Sequence, residues 1–216
     1  MPRPRPRPAH YDPIKFEESY EILLGPPADL AEIGFKDVVL GRRSGISFAE
    51  LDRLSLGSLL WYSARTIAVQ NQDQNREMRP VPSAGALHPL HLLVSEDPKT
   101  WLRYSPRRHA LCHLSVQAEQ AQGLWEEVRQ VLDVGEGTVI LLLAEMRLVS
   151  AYYDHPESLV FRDAGCLLGQ LGLVAAALGL SYRILGPTGE PWASELIPSQ
   201  GDSLAGAGLA VVGRKA

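Results

Sequence analysis

The sequence has little cysteine and no excess of basic charge. Its two cysteines, Cys112 and Cys166, stand among apolar residues of a 216-residue chain. This usage excludes a disulfide framework, favours a reducing compartment and predicts two buried thiols. The chain carries 21 lysines and arginines against 25 aspartates and glutamates, a formal net charge of −4. Because a basic excess is the usual mark of nucleic-acid binding, we expect no nucleic acid as a partner.

Long hydrophobic runs are also missing. No apolar run reaches membrane-spanning length, and the basic start MPRPRPRPAHY has no apolar segment behind it as a secretory signal would. We therefore expect a cytoplasmic protein with no membrane partner. The Pro/Arg repeat of residues 1–11 predicts a disordered, extended tail. Residues 12–216 are long enough for one core, and the 45% hydrophobic content predicts a single packed domain there.

Several catalytic signatures are absent. The sequence has no Walker-type loop and no Gly-x-Gly-x-x-Gly fingerprint, and Ser83 does not lie in the Gly-x-Ser-x-Gly motif of a serine hydrolase. Neither the pair His88 and His91 nor the pair His109 and His113 is joined by a second ligand pair at zinc spacing. We therefore expect no metal site, no serine hydrolase and no classical nucleotide fold.

Hydrophobic periodicity predicts both helices and strands. Asp12 and Pro13 predict the start of a short amphipathic helix that ends at Gly25. Ser47 and Glu50 match a capping box and predict a helix through AELDRLSLGSLLWYSA. The polar stretch QNQDQNREM that follows predicts a surface loop or flap. Further strands are predicted at 90–95, 101–106, 138–146, 180–186 and 207–213, and a helix at 115–134, which together make an α+β fold.

The segment from Phe161 to Leu178 predicts a helix that is apolar on nearly every side. Such a helix must be buried all round, and in a chain of this size this points to a helix shared with a second subunit. Gly165, Gly169 and Gly172 line one face of it. Either another helix or a planar cofactor can pack against that face.

The turn GRRSGISF is a candidate anion site. Arg42, Arg43 and Ser44 supply two guanidiniums and a hydroxyl just ahead of a helix start, which suits a phosphate dianion. The alternative is a solvated basic turn, which is the commoner use of such residues. Arg214 and Lys215, at the end of the chain, are basic residues that could close on the same anion.

The stretch PSAGALHPL is a second candidate. Pro82, Ser83, Ala84 and Gly85 are small residues at which a flat ring can approach the main chain. The Ser83 hydroxyl can donate a hydrogen bond to a ring oxygen or nitrogen. The alternative is a tight turn leading into a strand.

Taken in order, these segments resemble the nitroreductase superfamily. The resemblance rests on the Arg-Arg-Ser turn, the helix ending in LLW, PSAGALHPL before a strand, RYSPRRHAL, DAGCLLGQLGLVAAALGL and the final VVG. It covers about Gly41 to Arg214 and is greatest to the SagB-type dehydrogenases, flavoenzymes that oxidise azoline rings in ribosomal peptides. It implies an FMN-binding α+β fold with a mixed or antiparallel central sheet flanked by helices. It also implies a homodimer with the flavin at the subunit interface.

The resemblance assigns roles to individual residues. It places Arg42, Arg43 and Ser44 at the FMN phosphate, and Pro82, Ser83, Ala84 and Gly85 against the isoalloxazine ring. The remaining assignments are Gln170 on the central helix, Gly186 in the stretch that presents backbone amides to the ring, and Arg214 as a C-terminal phosphate ligand.

Two positions depart from the resemblance. Relatives have a second basic residue two positions past the serine of the phosphate turn, where this chain has Ile46. The azoline dehydrogenases carry a Lys-Tyr pair that aligns here with Ala151 and Tyr152. Tyr152 is then the candidate catalytic base, although a phenol with an unperturbed pKa near 10 is a poor base at neutral pH. The alternative is that Tyr152 is a packing aromatic beside Tyr153.

Three functions remain open from the sequence. The first is a SagB-type dehydrogenase acting on an azoline-containing peptide or a natural-product intermediate. The second is an NAD(P)H-dependent nitro or quinone reductase, and the third is a catalytically silent flavin-fold partner in a biosynthetic complex. Ile46 and Ala151 favour the third.

Overall fold

A seven-stranded antiparallel sheet forms the centre of the computed structural model, which describes residues 1–30, 32–69, 76–197 and 203–216. Across the sheet the strands are β10 (Ser181–Ile184), β11 (Leu204–Gly213), β8 (Thr138–Glu145), β5 (Leu90–Asp97), β6 (Thr100–Ser105), β7 (Ala110–Leu114) and β2 (Glu18–Leu23). Two short ribbons pair outside it: β1 (Arg3–Pro4) with β9 (Tyr153–Asp154), and β3 (Ala68–Val69) with β4 (Glu77–Met78). The helices of the described chain are α1 (Phe35–Gly41), α2 (Arg53–Ala64), α3 (Ala118–Val131), α4 (Met146–Tyr152), α5 (Glu157–Ala177) and α6 (Trp192–Glu195).

Strand β8 is buried on both faces, which requires helices on both sides of the sheet. Its side chains alternate, so Ile140 packs in one cluster with Leu60 of α2 and Leu171 of α5. Leu141 packs in the opposite cluster with Trp125 of α3. The continuous apolar run TVILLLAE is therefore a central strand, as predicted. The α+β architecture is confirmed, and every pairing in the main sheet is antiparallel.

The helix predicted from Asp12 to Gly25 is wrong. Residues Glu18–Leu23 form β2, an edge strand that pairs antiparallel with β7. The Glu18 carboxylate accepts hydrogen bonds from the Arg103 guanidinium on β6 at 2.5 and 2.8 Å. These are interactions between residues distant in sequence, and they override a local amphipathic pattern.

The helix that ends in LLW starts later than predicted. It begins at Arg53, and its N-cap is Asp52, whose carboxylate accepts a hydrogen bond from a backbone N–H of the first turn at 2.9 Å. The predicted capping box of Ser47 and Glu50 is wrong. Ala49, between them, forms an antiparallel bridge to the residue after β11, which holds this segment extended.

The N-terminal segment, for which the sequence predicts a disordered tail, runs along the end of α4. Strand β1 pairs with β9, and the Arg5 N–H donates to the Tyr152 carbonyl at 2.8 Å. The Arg5 guanidinium lies 3.0 Å from the Asp154 carboxylate. The segment is extended, as its prolines require.

The polar stretch predicted as a loop or flap falls largely on residues 70–75, which lie outside the described residues. Its last part forms β4, which pairs with β3.

Helix α5 is buried along one face only. Its inner residues, including Leu167 and Leu171, pack in the core, whereas Phe161 is 54% exposed and Gly165, Cys166 and Gly169 are exposed beside it. The prediction that this helix is buried on all sides is therefore wrong for the single chain. The prediction that the Cys166 thiol is buried is also wrong. By length and composition α5 is long and apolar enough to cross a membrane. However, half of its most apolar 18-residue stretch is buried inside the fold, as in a core helix.

Candidate functional site

The Arg-Arg-Ser turn follows α1 and packs beside α5. Arg42, Ser44 and Gly172 line a cavity of about 410 Å³, which Lys215 also reaches from the end of the chain. A smaller cavity of about 170 Å³ shares those first three residues and continues along α5. Neither Arg42 nor Lys215 has an ion-pair partner among the described residues. Arg42, Arg43 and Lys215 line this cavity together with one acid, Asp37, and this excess of basic side chains suits an anion.

The absence of a side chain at Gly172 allows the Arg-Arg-Ser turn to pack close to α5. A Cβ at that position would lie 3.3 Å from the Tyr182 ring and 3.9 Å from Cδ of Arg42, so the missing side chain lets the turn approach the helix. Gly165 and Gly169 differ, because a Cβ there would meet no atom within 4 Å. They form an open, flat stretch of helix surface.

Other basic residues near the turn have different surroundings. Arg43 lines the larger cavity but donates to the Leu40 carbonyl at 2.7 Å. Arg214, the predicted C-terminal ligand, donates from Nε to the Glu50 carbonyl at 2.7 Å and does not line the cavity. Lys215 reaches the cavity instead, because neighbouring residues at a strand end point to opposite sides.

The Pro82–Gly85 loop is held by a buried acid, Asp163 of α5. The Ser83 hydroxyl donates to Asp163 Oδ2 at 2.5 Å, and the Ala84 N–H donates to the same carboxylate at 3.2 Å. The His88 N–H donates to Ser83 Oγ at 3.0 Å. The single hydroxyl hydrogen of Ser83 is thus used within the protein, whereas the sequence suggested that it could donate to a bound ring.

Sequence reasoning missed Asp163. Burial raises the pKa of this carboxyl above its usual range, while the hydrogen bonds from Ser83 and Ala84 act in the opposite direction. The available signal was an acid inside the apolar stretch VFRDAGCLL, since a buried Asp almost always has a partner.

Gly85 is required by its backbone and by a neighbouring tyrosine. Its φ of +60° is a left-handed conformation that favours glycine, and a Cβ there would lie 2.8 Å from the Tyr153 hydroxyl oxygen. Tyr152, the predicted base, lies at the end of α4 with the Arg76 guanidinium 6.0 Å from its ring centroid. Tyr153, rather than Tyr152, therefore brings a hydroxyl to the loop.

Two further candidate residues lie apart from the cavities. The Gln170 side-chain amide donates to the Tyr62 carbonyl at 3.3 Å, which ties α5 to α2. Gly186 is exposed and lies two residues beyond Ile184, which lines the smaller cavity.

The predicted residues do not converge in one pocket of a single chain. The phosphate turn packs at Gly172, and the Pro82–Gly85 loop is held at Asp163, nine residues earlier on α5. At 1.5 Å per residue the two places are about 14 Å apart along the helix.

We expect Ser83→Ala to destabilise the protein by about 2 kcal/mol, because it leaves the His88 N–H without its partner and leaves the Asp163 carboxylate with the Ala84 N–H but without its shorter hydrogen bond. The free energy of unfolding in urea measures the effect. Ser158→Ala, an exposed serine on the same helix, is the control and should change it by less than about 0.5 kcal/mol. Equal effects of the two substitutions would contradict the anchoring role.

No protein-family model and no curated protein matches this chain. Solved structures do match. A protein of Ralstonia eutropha JMP134 named as a nitroreductase has a TM-score of 0.68 at 20% identity, over 100% of this chain and 99% of that one. A chain of the E. coli microcin synthetase McbBCD complex with truncated pro-MccB17 bound has a TM-score of 0.60 at 18% identity, over 89% and 77%.

A third structure is a nitroreductase with bound FMN from Bacteroides fragilis NCTC 9343, with a TM-score of 0.50 at 13% identity, over 84% of this chain and 88% of that one. At identities this low, the structural similarity establishes the fold alone. Together with the antiparallel sheet flanked by helices, the likenesses show that the chain has the nitroreductase-like α+β fold.

Proposed function

We propose that this protein is an FMN-dependent oxidoreductase. The observation that carries the proposal is the cavity at Arg42, Ser44 and Lys215, where two cations without ion pairs adjoin Gly172. In this arrangement the turn and Lys215 hold the FMN phosphate, and the open Gly169 surface of α5 lies next to it. The B. fragilis structure, which has the same fold, contains FMN. When bound, FMN supplies hydride transfer at its ring, and the protein's part is to bind and orient it.

Purified protein is expected to bind FMN with a dissociation constant on the order of 1 μM, since two charge-assisted phosphate contacts and ring burial act together. Arg42→Met and Lys215→Met should each weaken binding at least about tenfold, because each removes one cation from the cavity. Quenching of FMN fluorescence on titration measures the affinity.

Arg214→Met is the matched control, since this arginine is bonded to the Glu50 carbonyl outside the cavity. It should bind FMN within about twofold of the unaltered protein. No binding at tens of micromolar FMN would contradict the proposal and leave the silent-partner function.

We also propose that the protein is a homodimer built on the outer face of α5. Phe161, Gly165, Cys166 and Gly169 expose an apolar, small-residue surface on the helix that packs the core. A second copy placed by a twofold axis would cover this surface in both chains. It would also bring a second Pro82–Gly85 loop to the interface, in keeping with the interface flavin site that the sequence resemblance implies.

The protein should sediment as a dimer at micromolar concentration, and Phe161→Glu should shift it to a monomer because a charge would be buried in the interface. Val131→Glu is the control: this valine is 48% exposed at the end of α3, away from the interface face. A monomer before substitution, or equal effects of the two variants, would contradict the dimer.

For the reaction, we propose a SagB-type dehydrogenase that acts on an azoline-containing peptide or a related natural-product intermediate in the cytoplasm. The likeness to a chain of the microcin synthetase complex supports this choice and favours other biosynthetic enzymes as partners. The competing NAD(P)H-dependent nitro or quinone reductase is favoured by the likeness to a Clostridium acetobutylicum structure named as an NADH oxidase. The silent partner is favoured by Ile46, which is 81% exposed where relatives have a basic residue.

Proton transfer in such a dehydrogenase requires a side chain near the substrate, and two neighbouring tyrosines are candidates. The sequence alignment favours Tyr152, whereas the contact with Gly85 favours Tyr153. We choose Tyr153, because the Pro82–Gly85 loop is the segment that the resemblance assigns to the flavin ring.

Tyr153→Phe is expected to slow conversion of 2-phenylthiazoline to 2-phenylthiazole by about 100-fold. The substitution keeps the ring and removes only the oxygen that would accept the proton leaving the substrate. FMN affinity should stay within about twofold, because the ring remains in place. Absorbance of the thiazole product measures the rate. Tyr152→Phe is the control, and a larger loss in that variant would return the role to Tyr152.

A further inference from the structure

A cavity of about 340 Å³ lies between the start of α2 and the central sheet, and it shares no lining residue with the cavities at the phosphate turn. Its apolar walls come from α2, from the residue just before its N-cap and from strands β2, β5, β6 and β7. These residues are Ile22, Leu51, Leu56, Val94, Leu102 and Leu111. A cavity of this size, with apolar walls and a few polar groups, is typical of a site for a small molecule.

The charged part of this lining is mainly acidic. Glu50, Asp52 and Glu96 line the cavity, and Arg53 is the basic residue among the described residues that do so. The Asp52 carboxylate is already used as the N-cap of α2. Within the described part of the chain, the side chains of Glu50 and Glu96 make no hydrogen bond and no ion pair. The cavity therefore has an excess of negative charge, of which two carboxylates are unpaired.

The two unpaired carboxylates lie close enough to repel each other. Burial, Glu50 and Asp97 raise the pKa of Glu96, and Arg53 acts in the opposite direction. A cation bound beside Glu50 and Glu96 relieves this repulsion. In the described ranges no three histidine, cysteine or acidic side chains are placed to hold a metal ion, which favours an organic cation.

Thr138, the first residue of β8, adds a buried hydroxyl to the same cavity. It is 1% exposed, and its Oγ1 has no hydrogen-bond partner among the described residues. Because side chains alternate along a strand, Thr138 lies on the face of Ile140, which packs towards α2. Ser95 faces Val139 in the register of β5 and β8, so Glu96 and Thr138 follow as neighbours across the two strands. An unpartnered buried hydroxyl is costly, and here it lies beside an unpaired carboxylate.

We propose that this cavity binds a small primary amine, in its ammonium form, that carries an apolar group. The ammonium donates to the Thr138 hydroxyl and to the Glu96 carboxylate, and Glu50 adds a second negative charge. The apolar group packs against Leu56 and Leu102. A carboxylate ligand fits less well, because the two glutamates repel it. A neutral alcohol fits less well, because it brings no charge to them.

2-Phenylethylamine is the probe, and its binding to the purified protein without flavin is followed at neutral pH by NMR chemical-shift titration. We expect a dissociation constant on the order of 1 mM, as for a fragment of this size. 2-Phenylethanol and 3-phenylpropanoate have similar shapes and should each bind at least about tenfold more weakly. Because no flavin is present, failure of FMN binding and failure of this site are separate results.

Two variants locate the site. Glu96→Gln keeps the size of the side chain and removes its charge, and should weaken binding of the amine about tenfold. Thr138→Val keeps the shape and removes the hydroxyl, and should also weaken it about tenfold. Thr138→Val should not lower the stability of the unliganded protein, since the hydroxyl has no partner among the described residues. Glu119→Gln is the matched control: this exposed acid lies on α3, outside the cavity, and the variant should bind within about twofold of the unaltered protein.

Far-UV circular dichroism identifies any variant that fails to fold, in which case the other variant and the comparison of ligands on the unaltered protein decide. Three results would each overturn the proposal. The first is that the amine gives no saturable shift at about 10 mM, well above the expected dissociation constant. The second is that every folded variant binds it as the unaltered protein does, and the third is that 2-phenylethanol binds as tightly as the amine.

Discussion

The packing of α5 is the constraint on which the rest of the molecule depends. Its inner face must cover the apolar side of a sheet whose central strand is buried throughout, and Leu171 does so with no exposure. The same helix holds the Pro82–Gly85 loop through Asp163 and allows the phosphate turn to approach at Gly172. One helix therefore sets the positions of both segments and the distance between them.

This constraint separates two kinds of surface. The outer face of α5 is exposed and apolar, whereas the cavity at Arg42 has an excess of basic side chains, as expected for a phosphate-bearing cofactor. The chemistry of the two places differs accordingly, with an apolar partner surface favoured at the first and an anion at the second.

Much of the fold could be predicted from the sequence because its signals are local. The run VILLLA within β8 is apolar at every position, and a strand covered on both faces buries it fully. The segment Asp12 to Gly25 shows the opposite case. Its amphipathic pattern favours a helix, whereas pairing with β7 and the hydrogen bond that Arg103 donates to Glu18 make Glu18–Leu23 a strand. In the same way, a bridge at Ala49 displaced the start of α2 to the residue after Asp52.

For the candidate site, the sequence by itself determined which segments carry suitable chemistry: two arginines and a serine in one turn, small residues before a strand, and glycines on one helix face. Only the tertiary structure decided which side chains meet. It placed Lys215 rather than Arg214 at the cavity, joined Ser83 to Asp163 across 80 positions, and set Tyr153 rather than Tyr152 against Gly85. The physical reason is that side-chain direction at a strand or helix end changes with each residue, and that direction is set by long-range packing that no local pattern encodes.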